Sequence, residues 1–266
     1  MIDYTVEDGV AVIAIDRQDR RNALSPKAML ILRECLETFE RDAATRVAIL
    51  TGRGDIAFCA GADIQETLPI ADRSFISVYF DREFDATHPL YIRNISLPRL
   101  GMTKPLIAAV NGVAVGGGME LAVNCDMCIA STKARFGLPE VRIGSIPAVA
   151  GIQRVMRSLP RAVAMQLILT GEIVDACKAL EWGLVSEVVE PEALMLRAME
   201  LARIIANNAP LAVRAAKRLG DKASELPLAE AAELEEILWG HLYGSRDRME
   251  GRRAFVEKRP PRFIGE

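Results

Sequence analysis

The chain has 266 residues, of which half are hydrophobic and 26% charged, and 33 Lys+Arg against 36 Asp+Glu leave a formal charge of −3. That length predicts one large domain or two small ones, and the apolar share is ample for a core, which excludes a disordered chain. The near-even charge excludes a surface built for wholesale nucleic-acid or anionic-membrane binding, although Arg17, Arg20 and Arg21 form one local basic cluster.

Alternation around Asp8-Gly9 predicts a hairpin, Ile2 to Glu7 and then Val10 to Asp16. Ser25-Pro26 supplies an N-cap and a first-turn proline for a helix running to about Glu40. Val47 to Thr51 reads as a buried parallel strand; it ends at Gly52-Arg53-Gly54, and a turn leads into Phe58-Cys59-Ala60-Gly61-Ala62-Asp63-Ile64. Residues 68 to 100 carry no clean period and read as helical pieces. Leu106 to Val110 is the next strand, followed by Asn111-Gly112 and by Gly116-Gly117-Gly118 opening a helix. Asp126 to Ala130, Ala134 to Phe136 and Leu184 to Val189 complete the expected strands. Pro191 starts a long helix, and Pro210, Pro227 and Gly244 separate further helices up to residue 258. The plan is a β/α core over residues 1–190 and a helical region over 191–266. No low-complexity linker divides them.

Strand, glycine turn and small-residue helix start occur twice, around 47–64 and 106–121. Each leaves N–H groups unpaired at a positive helix end. Two such turns facing one another would hold one oxygen anion between two donors, the geometry of an oxyanion hole. Two acids sit in apolar company close to these turns. Glu120 lies within Gly116-Gly117-Gly118-Met119-Glu120-Leu121-Ala122, and Glu140 follows Phe136-Gly137-Leu138-Pro139. Taken singly, either acid serves equally well as a first-turn helix cap. As a pair in low-dielectric surroundings, they suit acid/base work at raised pKa.

Other chemistries find less support. Gly52-Arg53-Gly54-Asp55-Ile56-Ala57 imitates a dinucleotide fingerprint, but the following Phe58-Cys59-Ala60-Gly61 breaks the helix that motif requires. Cys125-x-x-Cys128 has no second pair to complete a zinc site, and reads as two small buried hydrophobes. Five cysteines, an odd number, predict reduced thiols and a cytoplasmic protein. Two histidines exclude a three-His zinc centre, so no metal is expected. The longest uncharged stretch, 105–119, is shorter than the ~20 residues of a membrane span. Paired carboxylates also fit a glycosidase, but two Trp and four Tyr are few for sugar platforms.

The motifs Phe58-Cys59-Ala60-Gly61-Ala62-Asp63-Ile64, Lys104-Pro105-Leu106-Ile107-Ala108-Ala109-Val110-Asn111-Gly112, Gly116 to Ala122, Phe136 to Glu140 and Leu169-Thr170-Gly171 stand in order. With them the chain, from about residue 4 to 260, resembles the enoyl-CoA hydratase/isomerase (crotonase) superfamily. The resemblance implies an α/β fold, a spiral of ββα turns capped by C-terminal helices, assembled as a homotrimer or homohexamer. It implies an acyl-CoA thioester substrate and no separate cofactor. It assigns the thioester oxygen to the N–H groups of Ala60 and Gly117, and the CoA to backbone at Ala23, Ala62, Asp63 and Ile64. Arg20 and Arg21 stand as phosphate partners, and Phe255 and Lys258 match a patch that touches CoA from a neighbouring subunit.

Both glutamates of the hydratase branch are matched. The implied reaction is reversible addition of water to a 2-enoyl-CoA, with Glu120 as base towards water and Glu140 as proton donor to the α-carbon. The alternatives are an isomerase, a specialised dehydratase or an acyl-CoA lyase on the same scaffold, and a non-catalytic CoA- or RNA-binding protein. One departure stands out: where the family often reads Ile-Pro-Gly-x-Gly-Gly, this chain reads Ile146-Pro147-Ala148-Val149-Ala150-Gly151.

Overall fold

A computed structural model describes residues 1–67, 85–88, 90–223 and 225–266. Most of the first part of the 68–100 segment therefore lies outside the described residues. The hairpin forms as expected, β1 (Ile2–Glu7) pairing antiparallel with β2 (Val10–Ile15). Helix α1 (Pro26–Arg41) starts where Ser25 Oγ accepts the Ala28 N–H, and it carries the chain across to β3 (Val47–Gly52), parallel to β2.

From here the backbone repeats one step. Each turn places one strand in a large sheet and a three-residue strand in a small one. The large sheet has the order β1-β2-β3-β5-β7-β10, with β5 at Leu106–Val110, β7 at Met127–Ser131 and β10 at Glu187–Val189. The small sheet has the order β4-β6-β8-β9, with β4 at Ala57–Cys59, β6 at Val113–Val115, β8 at Arg135–Gly137 and β9 at Ile173–Asp175. Short helices follow β4 and β6: α2 (Ile64–Thr67) and, after α3 (Leu97–Leu100), α4 (Gly117–Asn124). The expected ββα spiral is therefore present. β8 answers the expected Ala134 to Phe136, shifted by one residue, whereas β4, β6 and β9 escape a period-based reading because three residues are too few to alternate. Leu184 to Ser186 fall outside β10: Gly183 ends the preceding helix in a left-handed conformation, and the Leu184 N–H returns to the Ala179 carbonyl.

Both faces of the large sheet are buried, as parallel strands require. Ile13, Ile15, Leu50, Ala108 and Val110 join Met29, Leu32, Leu36 and Phe39 of α1. The opposite face, with Val10, Val47, Ile49, Ile107 and Ile129, is covered by Leu194, Ala198, Ala202 and Ala206. Those alanines, four residues apart, line one face of a helix and let it lie close on the strands. The helices of the second half are α5 (Gly151–Ser158), α6 (Arg161–Thr170), α7 (Ala176–Trp182), α8 (Leu194–Ala206), α9 (Pro210–Ala223), α10 (Leu228–Tyr243) and α11 (Arg246–Glu257). Packing continues without a break past residue 190, since α8 belongs to the sheet's core. No described helix is long and apolar enough to cross a membrane.

Lys104 ties the end of α1 to the start of β5. Its Nζ is buried and donates to the Phe39 carbonyl at 2.7 Å and the Asp42 carbonyl at 2.6 Å, while the Lys104 side chain is 6% exposed. These carbonyls close the end of a helix and also accept from Thr45, so removing the ammonium takes away their charged donor and leaves them only the weaker neutral one. Lys104→Met is expected to lower the unfolding free energy by ~1–3 kcal/mol, measured by urea titration.

Candidate active site

The site is built where two glycine turns meet backbone to backbone. One follows β4, at Ala60-Gly61-Ala62; the other follows β6, at Gly116-Gly117-Gly118. A Cβ on Gly118 would stand 1.9 Å from the Cys59 carbonyl oxygen, and one on Gly61 would stand 3.0 Å from the Val115 oxygen and 3.1 Å from the Gly117 nitrogen. Gly116 enters α4 at φ 55 and ψ −130, a region closed to residues with a Cβ. The echo read from the sequence is therefore a physical contact.

That contact corrects one expected donor. The Ala60 N–H does not face the junction; it donates to the Arg21 carbonyl at 3.1 Å. Arg21 and Asn22 are both left-handed, at φ 51 and 57, which turns that carbonyl onto Ala60. Two residues on, Leu24 bridges Ala62 in parallel: the Leu24 N–H donates to Gly61 at 2.8 Å and the Asp63 N–H to Leu24 at 2.9 Å. Ala62 therefore keeps its own N–H, and a Cβ built on Gly117 would lie 3.9 Å from the Ala62 nitrogen. Neither the Ala62 nor the Gly117 N–H donates to another described residue. The two donors standing side by side are Ala62 and Gly117. Sequence alone carried no signal for this two-residue step, because it depends on which neighbour the extended segment pairs with.

Both acids reach the same junction. Glu120, on the first turn of α4, is 1% exposed, and its Oε1 accepts the N–H groups of Val149 and Gly151, each at 2.8 Å. Burial raises its pKa, and the Gly151, Val149 and Ala148 N–H groups pull it back. Gly151 is obligatory here, since a Cβ would meet Glu120 Cγ at 2.6 Å. Glu140 lies in the 3-10 turn Pro139–Ile143 after β8. Its Oε2 is buried without a hydrogen-bond partner among the described residues. A Cβ on Gly116 would be 3.3 Å from its Oε1, which places this carboxyl against the turn that ends in Gly117. Burial pushes Glu140 up to about 7; a hydrogen bond from its own N–H opposes this, and the nearby Glu120 charge adds to it.

Two unpaired N–H groups and two carboxyls of raised pKa thus share one corner. Neither acid serves merely as a cap: Glu120 reaches the 148–151 loop and Glu140 leaves one oxygen free. The remaining expected residues divide. Arg20 Nη1 donates to Gln65 Oε1 at 2.6 Å, so the 20–24 and 61–65 segments form one wall with Arg21, Ala23, Ala62 and Ile64. The Asp63 carboxylate belongs to the wall's frame. Arg17 pairs with it at 3.2 Å, and also donates to the Ala23 carbonyl and to Glu66, each at 2.6 Å. Arg17, read from sequence only as part of a basic cluster, is the organiser of this wall. Phe255 is 86% exposed near the end of α11, and Lys258 is its left-handed cap. No hydrogen bond of either reaches the wall.

Cys125 and Cys128 are free thiols pushed up by burial, Cys128 to about 12, in keeping with their reading as small hydrophobes.

The family model described as enoyl-CoA hydratase/isomerase matches residues 5–266. The chain belongs to this family. It is 41% identical over 260 residues to the (E)-benzylidenesuccinyl-CoA hydratase of Thauera aromatica, covering 98% of this chain and 97% of that one. It is 38% identical to the short-chain-enoyl-CoA hydratase of Clostridium acetobutylicum, covering 95% and 93%. The crystal structure of an enoyl-CoA hydratase from Bacillus anthracis superposes with a TM-score of 0.89 at 36% identity, over 100% of this chain and 99% of that one.

The raised Glu140 has a stability consequence. Unfolded, it titrates at the ordinary 4.5; folded, at about 7. A raised carboxyl contributes fully below its unfolded pKa, and that contribution is lost as pH rises through the folded one. Glu140→Gln is therefore expected to raise the melting temperature at about pH 8 more than at about pH 5, measured by calorimetry.

Proposed function

We propose that this enzyme adds water reversibly across the α,β double bond of a 2-enoyl-CoA thioester. The observation that carries the reading is the corner where the Ala62 and Gly117 N–H groups meet the buried Glu120 and the half-buried Glu140. The thioester oxygen lies between the two N–H groups, and charge gathers there as water attacks the β-carbon, giving enolate character. One such donor is worth about 3 kcal/mol in the transition state. Glu120, ionised and oriented by the 148–151 N–H groups, takes a proton from the attacking water. Glu140, still protonated near neutrality, gives one to the α-carbon. Run backwards, the same groups dehydrate a 3-hydroxyacyl-CoA. An isomerase needs only one proton-shuttling carboxylate, so the second favours hydration.

The CoA moiety lies along the wall of Ala23, Ala62, Asp63 and Ile64, with Arg20 and Arg21 towards its phosphates. Arg20 is tied to Gln65 and would exchange that bond for phosphate. Exposed Trp239, Tyr243, Phe255 and Val256 on α10 and α11 form apolar surface for a homotrimer or homohexamer, in which Phe255 and Lys258 would approach a neighbour's CoA. In this reading the 191–266 helices cap and assemble the subunits, and the protein is cytoplasmic. The relatives' names set two substrate sizes, a short enoyl chain and the bulky (E)-benzylidenesuccinyl group.

Loss of conjugated-thioester absorbance from crotonyl-CoA tests the reaction. Glu120→Gln and Glu140→Gln are each expected to lower kcat by ~100-fold or more. If crotonyl-CoA is inert, (E)-benzylidenesuccinyl-CoA separates a narrow specificity from a wrong reaction; inactivity on both overturns the hydratase reading. For hydration, kcat/KM is expected to be bell-shaped. The acid limb marks protonation of Glu120, and the alkaline limb marks loss of the Glu140 proton near about 7.

A further inference from the structure

Glu120 is aimed by a strained loop. The Val149 and Gly151 N–H groups converge on its Oε1 because the residue between them, Ala150, is left-handed at φ 76. An alanine is strained there by ~1–2 kcal/mol, since its Cβ crowds the next carbonyl. Relaxing Ala150 to negative φ would rotate the Val149–Ala150 peptide and part the two N–H groups, so that peptide needs an anchor. One residue supplies it. Asn124 Nδ2 donates to the Val149 carbonyl at 3.2 Å and to the Glu120 carbonyl, one turn back on α4, at 2.8 Å. Its Oδ1 accepts from Arg154 Nε of α5 at 3.4 Å, and Asn124 itself is 7% exposed. A single amide thus joins the helix bearing Glu120, the loop that binds its carboxylate, and the helix that follows the loop.

We propose that Asn124 is a positioning residue, whose amide holds the Val149–Ala150 peptide in the orientation that aims two N–H groups at Glu120. It offsets the alanine that stands where glycine would turn without strain. The inference rests on the hydratase reading only for its kinetic consequence. Among the described residues, Glu140 from the 139–143 turn faces Glu120, and at the Asn124 end of α4 stand Arg154 from α5, Asp126 just beyond the helix and Lys217 of α9 paired with it. A pH profile reads Glu120 in their company.

The test compares Asn124→Leu with the double variant Asn124→Leu/Ala150→Gly, by crotonyl-CoA kinetics across pH and by amide hydrogen exchange over 148–151. Asn124→Leu is expected to lower kcat about tenfold or more, with KM held within about twofold. Its acid limb should move up by about half a unit to one unit, because Glu120 loses donors to its charged form. Exchange at 148–151 should quicken about tenfold relative to the rest of the chain. Ala150→Gly should restore kcat to within about threefold and return the acid limb, because glycine takes the left-handed turn freely. A merely structural asparagine would lower the melting temperature and leave the acid limb in place. Unchanged exchange in the single variant, or a double variant no better than the single, overturns the proposal. Should Asn124→Leu fail to fold, Asn124→Asp keeps the acceptor for Arg154 and loses the donor, and it is judged by hydrogen exchange over 148–151 alone, because its added charge would itself move the acid limb. Full activity in Glu120→Gln would sink the base assignment alone, because hydrogen exchange still judges the anchor.

Discussion

Everything in the candidate site depends on two backbone turns approaching more closely than any side chain allows. With only 1.9 Å between a Cβ at Gly118 and the Cys59 oxygen, even a methyl group would force the turns apart. The approach does two things together. It leaves the N–H groups of Ala62 and Gly117 adjacent and unspent, and it brings Gly116 against the Glu140 carboxyl. The donor geometry thus follows from the absence of side chains at a few positions, while the raised pKa values of the two acids follow from their burial.

The spiral delivers that contact. Each turn sends one strand to the large sheet and a three-residue strand to the small one, so successive β-to-α turns stack at the same edge. The small strands are short because they only need to set the turns in register. The large sheet, clamped between α1 and α8, supplies the rigidity, with Lys104 holding α1 to the edge of β5. Precision at the site is thus borrowed from a core several residues away.

The two glutamates differ because their neighbourhoods differ. Glu120 is the more buried, yet three N–H groups of the 148–151 loop favour its charged form. Glu140 has one oxygen with no partner and lies near the Glu120 charge, which favours its neutral form. Two side chains of the same chemical type are thereby held in different surroundings within one corner. Ala150, left-handed at φ 76 where a glycine would turn freely, puts strain into the loop that carries those donors.

Much of this was legible in the sequence. The long strands, α1 with its Ser25-Pro26 start, the helices set off by Pro210 and Pro227, and the pairing of Glu120 with Glu140 all follow from local patterns: periodicity, caps, and acids in apolar company. The ordered motifs pointed to the family. What local pattern could not supply was anything decided by which segments lie side by side. The three-residue strands have no period of their own, and Arg17 looks like any surface arginine until the wall it braces is assembled. The N–H left unspent is that of Ala62 and not of Ala60, because Leu24 pairs with one side of the segment and Arg21 with the other. A sequence specifies which N–H groups exist; tertiary pairing decides which of them are spent, because a donor's availability depends on the partner across from it.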